Sequence, residues 1–361
     1  MAFDRVIGQH RVKSFFQKAL ENGRISHAYL LIGERGVGKE AMALEFSKAL
    51  FCSHSENRPC QVCSECLRIQ KLSHPDLHFL FPAPAKAKES DLQKILQSIV
   101  EDPYQRLELW ANPSITIERI RQIKQATAYK STEGKGRIFI LVDVERMTQE
   151  AANALLKILE EPPDRTFLIL TSSKPNLLFP TIISRCQLVK FDPLSVEEIE
   201  QALIAKNHID ANQARLLARL ASGSYRKALE LLDEDLQFLR TLALDFFRQC
   251  VQHEYNQLIF VEDLLHKIQG DAKKVKDLLT MVLFWFRDAL IYSETGEQEP
   301  ERLVNYDQIE VLQKFVQKFP NADLYNAIIE IENSLVLMDR NVQLYLILIV
   351  LLNKLKKHLR R

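Results

Sequence analysis

Residues 27–43 read HAYLLIGERGVGKEAMA, an apolar run followed by a glycine-rich turn and the start of a helical pattern. The turn fits the phosphate-binding pattern G-x-x-x-x-G-K-[ST] at every fixed position except the last. We expect its backbone N–H groups and its lysine to surround phosphate oxygens, because the turn follows a strand and begins a helix. The stretch therefore predicts a P-loop domain with a parallel sheet, and an incidental glycine-rich turn is the alternative. The residues concerned are Gly33, Gly36, Gly38, Lys39 and Glu40.

Glu40 is expected to weaken nucleotide binding. The position normally gives Mg²⁺ a neutral hydroxyl, whereas a carboxylate places another negative charge beside a polyphosphate. Like charges about 4 Å apart repel by roughly 4 kcal/mol at an effective dielectric constant of about 20. The helix dipole returns only about 0.3–1 kcal/mol. ATP or ADP is therefore expected to bind weakly, and Mg·ATP most weakly.

A second apolar run, RIFILVDV at 137–144, supplies the acidic residue that such a site needs at the end of a buried strand. This residue is Asp143, and a role as a simple strand cap is the alternative. A hydrolase of this type usually has Glu next, as the base for the attacking water, but the next residue here is Val144. Glu145 is expected to point to the opposite side of the strand from Val144, because strand side chains alternate. Defects at the metal and at the water predict no efficient ATP hydrolysis by this chain.

Four cysteines lie close together between residues 52 and 66, in CSHSENRPCQVCSEC. They are Cys52, Cys60, Cys63 and Cys66. Closely spaced thiolates in a reducing compartment are typical of a closed, structural Zn²⁺ site. An iron–sulfur cluster and free thiols are the alternatives, and Cys52 is expected as the ligand rather than His54. Cys186 and Cys250 stand outside this pattern, and Cys250 is expected to be an ordinary buried thiol.

The order of apolar runs and helical patterns predicts an α/β domain followed by all-α domains. Three β-rich runs each precede a helical pattern, as in a mostly parallel sheet with crossover helices. These runs are 27–32, 137–144 and 166–173. A capping box from Ser195 to Glu198 begins a new helical period after Pro193.

We therefore predict three domains. The boundaries are 1–193 for the α/β P-loop domain, 194–233 for a small helical domain and 236–361 for a third, all-α domain. Residues 84–110 are expected to form a helical insertion in the first domain, either a contact surface or a solvated helix.

The charge balance excludes a strongly basic nucleic-acid-binding class. The chain has 48 Lys and Arg against 47 Asp and Glu, a formal net charge of +1. The longest apolar run, LYLILIVLL at 344–352, is far shorter than the roughly 18 residues of a membrane span. A cytoplasmic protein without membrane contact is therefore expected. The basic end KLKKHLRR at 354–361 suits a helix C-terminus, and DNA contact through it is the alternative.

Several stretches together carry a family resemblance. The most specific is MTQEAANALLKILEEPP at 147–163. The others are IGQ at 7–9, ISHAYLLIGERGVGK at 25–39, the four-cysteine module, HPDLHFL at 74–80, PTIISRC at 180–186, GSYRKAL at 223–229 and RNVQLYLILIVLLNKL at 340–355. In these stretches the chain resembles the delta-prime subunits of the bacterial DNA polymerase III clamp loader, an AAA+ assembly. The resemblance is good from residue 1 to roughly 230 and weak beyond.

The resemblance implies a fold and roles for particular residues. The fold is an AAA+ P-loop domain with a parallel sheet and a zinc module, a small helical lid domain and a C-terminal helical collar domain. Arg185 would be an arginine finger presented to the ATP of a neighbouring subunit, and an ordinary surface arginine is the alternative. Ser172 or Ser173 would fall in the sensor-1 region and Arg226 at the sensor-2 position, both idle if the pocket is defective.

The function implied by the resemblance is that of a stator in the clamp loader. Such a subunit would assemble with gamma/tau and delta subunits through its AAA+ and collar domains, and would help to load the sliding clamp onto primed DNA. Its cofactors would be a structural Zn²⁺ and, weakly, ATP or ADP. The alternative is a gamma-like motor that hydrolyses ATP with Glu40 as a metal ligand. An AAA+-derived binding module outside replication is a third possibility.

Overall fold

The structure is a computed structural model that describes most of the chain. The described residues are 3–54, 56–110, 112–127, 131–132, 134–233, 236–250, 252–296, 302–340 and 342–359, without the side chains of Asp233, Glu254 and Asp339. The chain divides into two compact units, Met1–Leu229 and Glu230–Arg361. The further division at 193/194 stays a prediction.

The first unit contains one sheet of five parallel strands in the order β2-β3-β4-β1-β5. The strands are β1 (Ala28–Ile32), β2 (Leu77–Leu80), β3 (Arg137–Leu141), β4 (Thr166–Ser172) and β5 (Gln187–Lys190). The predicted runs correspond to β1, β3 and β4, which confirms the parallel sheet. β3 is shorter than predicted, because Asp143 has a φ of 52° and Val144–Arg146 form a 3₁₀ helix. The short strands β2 and β5 were not among the predicted runs.

Helices cover both faces of this sheet and continue beyond it. They are α1 (His10–Glu21), α2 (Lys39–Phe51), α3 (Ser64–Gln70), α4 (Glu89–Glu101), α5 (Ile117–Thr127), α6 (Gln149–Glu160), α7 (Pro180–Ile183), α8 (Val196–Asn207), α9 (Ala211–Leu220) and α10 (Tyr225–Asp233). An apolar core between the sheet and α5 to α7 includes Leu30, Leu155 and Ile182. The capping box of Ser195 and Glu198 is confirmed at the start of α8.

The insertion is helical in part. α4 accounts for residues 89–101, which confirms the prediction there. Residues 102–110 do not continue the helix. Three backbone N–H groups of this stretch are bonded to the end of α4 and to Asp102. Tyr104 N donates to Asp102 Oδ1 at 2.9 Å, Gln105 N to Asp102 O at 2.9 Å and Leu107 N to Ser98 Oγ at 3.1 Å.

The described part of the second unit is built from α-helices and short helical turns, as predicted. The α-helices are α11 (Leu236–Gln249), α12 (Glu254–Lys267), α13 (Ala272–Thr295), α14 (Ile309–Lys318), α15 (Leu324–Asp339) and α16 (Leu344–Leu359). The long helix α13 packs against α11, α14 and α15, and α16 packs against α12 and α15. Trp285 and Phe286 of α13 are buried in this core. Within the described ranges, no helix is both long and apolar enough to cross a bilayer.

Candidate functional site

The P-loop joins β1 to α2 in the strand–turn–helix arrangement that the sequence predicts. Gly38 precedes α2 with a φ of 101°. Gly36 has a φ of 77°, and a Cβ atom there would lie only 2.3 Å from Ser224 Oγ. Both positions therefore favour glycine, because side chains rarely tolerate this backbone conformation and Gly36 has no space for one.

Lys39 is held by the loop itself. Its Nζ donates to Gly33 O at 2.7 Å, to Glu34 O at 2.6 Å and to Ser173 Oγ at 3.2 Å. The residue is only 6% exposed, and this burial lowers the pKa of Lys39 to about 8. Of the two sensor-1 candidates, Ser173 contacts the P-loop lysine, whereas Ser172 Oγ accepts from Lys174 N at 3.2 Å.

A stretch of the insertion lies in the candidate nucleotide pocket. Residues 103–108, here called the pocket segment, follow α4 and place Arg106 between the two acidic residues of the site. Arg106 Nη1 lies 3.4 Å from Glu40 Oε1, and Nη2 is hydrogen-bonded to Asp143 Oδ2. The side chain of Arg106 is 7% exposed and that of Asp143 is 4% exposed. The three groups form a largely buried triad.

In this triad, burial and ion pairing have opposite effects on the pKa of each group. Burial raises the pKa of Glu40, and the guanidinium of Arg106 opposes this. Burial also acts to raise the pKa of Asp143, but Arg106 outweighs it and holds that pKa below its usual value. For Arg106, burial lowers the pKa, and the two carboxylates more than compensate, so the guanidinium stays charged. Glu40 thus has a cationic partner within its own chain.

Glu108, at the end of the pocket segment, connects the P-loop to the helix that carries the sensor-2 candidate. Glu108 Oε1 lies 3.1 Å from Arg35 Nη1 and 3.3 Å from Arg226 Nη2. Arg35 belongs to the P-loop, and Arg226 lies in the first turn of α10. A carboxylate therefore contacts two arginines at the edge of the phosphate pocket.

Tyr104 fills a further part of the pocket. The residue is 3% exposed, its hydroxyl accepts a hydrogen bond from Ile7 N at 2.8 Å, and its ring centroid is 5.2 Å from that of Tyr225. A Cβ atom on Gly38 would lie 2.7 Å from the Tyr104 hydroxyl. The cavity that remains has a volume of about 20 Å³. That volume holds about one water molecule, so Tyr104 and Arg106 leave little space beside the P-loop in this arrangement.

The expectation for Glu145 rested on a strand that has already ended. Val144 and Glu145 lie in the 3₁₀ helix, so strand alternation does not apply to them. Val144 is 1% exposed and packs in the apolar core, while Glu145 Oε1 accepts a hydrogen bond from Ser173 N at 3.0 Å. Glu145 is therefore anchored close to the P-loop lysine.

The four clustered cysteines converge on one point. Their Sγ atoms all lie within 4.8 Å of one another, and those of Cys60 and Cys66 are 4.0 Å apart. Tetrahedral Zn²⁺ with Zn–S bonds of about 2.3 Å would hold sulfur atoms about 3.8 Å apart. Two backbone N–H groups point at sulfur, Cys63 N at Cys60 Sγ and Cys66 N at Cys63 Sγ. The cluster therefore fits a closed Zn²⁺ site that includes Cys52. Cys250 is a buried thiol, as predicted.

Arg185 follows α7 at the surface of the first unit. Its side chain is 35% exposed, Nη2 lies 2.8 Å from Glu160 Oε1, and Nη1 donates to Thr181 O at 3.1 Å. Glu160 ends α6, the helix of the 147–163 signature. Two contacts thus orient the guanidinium while leaving it accessible.

Sequence reasoning missed the pocket segment. Arg106, Glu108 and Tyr104 belong to an insertion for which no role was inferred. The sequence does contain a weak signal for such a partner. If Glu40 is buried, its carboxylate requires a nearby cation. Which residue provides it is not readable from any local pattern.

Comparisons with known proteins agree with the motifs. A family model described as "DNA polymerase III, delta subunit" matches residues 8–195, and a second, described as "DNA polymerase III, delta subunit, C terminal", matches residues 261–357. DNA polymerase III subunit delta' of Bacillus subtilis is 27% identical over 335 residues, covering 92% of each chain.

Two further relatives match this chain over part of their own length, and one solved structure matches over nearly its whole length. DNA polymerase III subunit tau of Bacillus subtilis is 27% identical over 359 residues, 88% of this chain and 58% of that protein. Subunit tau of Escherichia coli is 32% identical over 238 residues, 64% of this chain and 32% of that protein. A solved gamma-subunit-related protein from Thermotoga maritima is 18% identical, with 96% and 99% coverage and a TM-score of 0.41.

Proposed function

Because this chain belongs to the DNA polymerase III delta-subunit family and is a clamp-loader subunit with the AAA+ fold, we propose that it acts as a stator in its assembly. In this proposal it turns over no nucleotide and lends Arg185 to the ATP site of a neighbouring subunit. The observation that carries the proposal is the placement of Arg106 between Glu40 and Asp143. The residues that would hold Mg²⁺ in an ATPase are already paired with a cation of the chain itself.

The surroundings of Arg185 support its role as a finger in trans. A guanidinium presents a planar fork of donors that stays charged, which suits it to contact phosphoryl oxygens of a neighbour. Its ion pair with Glu160 and its bond to Thr181 O restrict its rotamers, so less conformational entropy is lost on docking. We propose that its partners are gamma/tau and delta subunits, and that the complex acts on the sliding clamp and primed DNA.

The test is the DNA-stimulated ATPase rate of a reconstituted loader that contains Arg185→Ala. An arginine finger is worth about 10³–10⁵ in rate at the site it serves, so turnover at that site should be almost lost. Arg185→Lys should not restore the rate, because an ammonium lacks the bidentate fork.

Arg11→Ala, a change at an exposed arginine of α1, is the matched control and should leave the rate unchanged. Zinc content and thermal unfolding of each variant chain should equal those of the unaltered chain. An unchanged rate with Arg185→Ala would remove the finger assignment. Turnover by the isolated chain, abolished by Lys39→Ala, would instead identify a motor subunit.

We also propose that the four clustered thiolates hold one structural Zn²⁺. A closed set of four sulfur ligands leaves no position for water or substrate, so the metal would have a purely structural role. Cys52 directly follows α2, Cys63 directly precedes α3 and Cys66 lies in the first turn of α3, so the ion would join these two helices.

A further inference from the structure

We propose that the pocket segment, residues 103–108, is a built-in substitute for a bound nucleotide and its metal. This inference deepens the proposed stator function and rests on it. In this role the insertion keeps the phosphate pocket filled. It also keeps the start of α10, which carries Arg226, attached to the P-loop. The substitution has three parts, one for each group that the segment contributes.

Arg106 takes the place of the metal ion. In P-loop ATPases Mg²⁺ is held by the residue after the P-loop lysine and by the acidic residue that follows a neighbouring strand. The residues at these positions are Glu40 and Asp143, and Arg106 contacts both. With Lys39 nearby, two cations face two carboxylates, and the local charge balances without any ligand. An isolated buried pair of carboxylates would be far less favourable.

Glu108 takes the place of a terminal phosphate. Arginines of a P-loop and of a lid helix normally find phosphate oxygens, and a carboxylate offers a similar pair of acceptor oxygens. Glu108 contacts Arg35 and Arg226 through the same oxygen atom. The three side chains are 36%, 41% and 17% exposed, so solvent weakens the pairs, and their main effect is to fix geometry.

Tyr104 occupies the remaining volume with apolar surface. It lies between Gly38 and Tyr225, and Lys206 Nζ of α8 stands 5.3 Å from its ring centroid. Contacts from the P-loop, α8 and α10 therefore converge on one side chain. The consequence is a site that keeps one arrangement whether or not nucleotide is present in solution.

The first test uses the unaltered full-length chain and hydrogen exchange. Amides of Tyr104, Gln105 and Leu107 are hydrogen-bonded within the chain, so they should exchange far more slowly than in an unstructured peptide. Added Mg·ADP or Mg·ATP should not change their rates. Fast exchange without nucleotide, or a change of rate when nucleotide is added, would overturn the proposal.

The second test removes the substitute. Equilibrium binding of Mg·ADP and Mg·ATP would be measured by calorimetry for a triple variant with Tyr104→Ala, Arg106→Ala and Glu40→Thr. The triple variant deletes the occupant and restores a hydroxyl at the metal position without leaving Glu40 unpaired. Its dissociation constant should be lower than that of the unaltered chain by at least about tenfold, a difference of about 1.4 kcal/mol.

Two single variants serve as controls. Glu40→Thr alone should bind no more tightly than the unaltered chain, because Arg106 and Tyr104 still fill the pocket. Lys94→Ala, on the exposed face of α4, should behave like the unaltered chain.

A similar gain in affinity with Glu40→Thr alone, or no gain in a triple variant that retains its zinc and its cooperative unfolding, would overturn the proposal. If the triple variant does not fold, hydrogen exchange decides. Because the Arg185 test reads turnover in a neighbouring subunit, failure of one proposal is distinguishable from failure of the other.

Discussion

Lys39 is a residue whose chemistry is strongly altered by its surroundings. It is a P-loop lysine, yet its ammonium donates hydrogen bonds to carbonyl oxygens of its own loop and to Ser173 Oγ. Burial is the largest influence on it and lowers its pKa to about 8, although Glu40, Asp143 and Glu145 all act in the opposite direction. An ordinary lysine has a pKa near 10.4. The folded state therefore holds this proton less firmly than the unfolded state does.

A pH dependence of stability follows from this shift. Between the folded pKa of about 8 and the unfolded value, the unfolded chain binds more protons, so the free energy of unfolding rises with pH. Between about pH 7.5 and 9.5 the contribution of Lys39 should be a gain of roughly 1–2 kcal/mol. Denaturant unfolding of the unaltered chain and of Lys39→Met at both pH values measures it. Parallel pH profiles for the two chains would show that Lys39 is not responsible.

At the scale of elements, two connections in the first unit carry its candidate sites: the stretch after α4 and the cysteine module between α2 and α3. α4 and the stretch behind it bring the pocket segment to the P-loop, and the N–H bonds to Asp102 and Ser98 fix where that stretch goes. The cysteine module joins the end of α2 to α3. A buried network also attaches it to α2, because Lys48 Nζ contacts Glu45 and Gln61 at 2.6 and 3.0 Å.

Loss of a cysteine ligand should be felt by the whole module. Cys63→Ser should reduce bound zinc from about one ion per chain to almost none and lower the free energy of unfolding by several kcal/mol, because metal binding contributes directly to folding. Atomic absorption and thermal unfolding measure the two effects. Cys186→Ser is the matched control and should keep its zinc, since Cys186 does not belong to the cluster. Full zinc content in Cys63→Ser would contradict the assignment.

At the scale of the whole molecule, the chain consists of two compact units with separate cores. The P-loop, the cysteine module and Arg185 all belong to the first unit, Met1–Leu229. The described residues of the second unit form α-helices and short helical turns, and they include none of these three features. A unit with its own core can in general fold alone.

A fragment of residues 1–233, which keeps α10 entire, should therefore fold independently. It should unfold in one cooperative transition and bind as much zinc as the full chain. In the proposed assembly it should associate with gamma/tau and delta subunits more weakly than the full chain does, since the second unit, the proposed collar domain, is missing. Circular dichroism, zinc analysis and co-purification measure these properties. A fragment that aggregates, or that assembles as well as the full chain, would contradict the proposed division of tasks.

Much of the fold was predictable, because its signals are local. The turn at 33–40, the runs of β1, β3 and β4, and the capping box at Ser195 each depend on a few consecutive residues. The end of β3 was not predictable, since apolar residues continue through Val144 although the backbone turns at Asp143. A pattern of side chains does not report such a change of φ.

The sequence by itself determined the P-loop, the cysteine cluster, the helical second half and the family signature at 147–163. Backbone geometry imposes these periods and spacings over short distances, so they can be recognised without a structure. Only the tertiary structure decided what fills the pocket. The contacts of Arg106 with Glu40 and Asp143 join three segments distant in sequence, and they exist because α4 docks and its following residues turn inward. No local period encodes that path, since it follows from the packing of the whole unit.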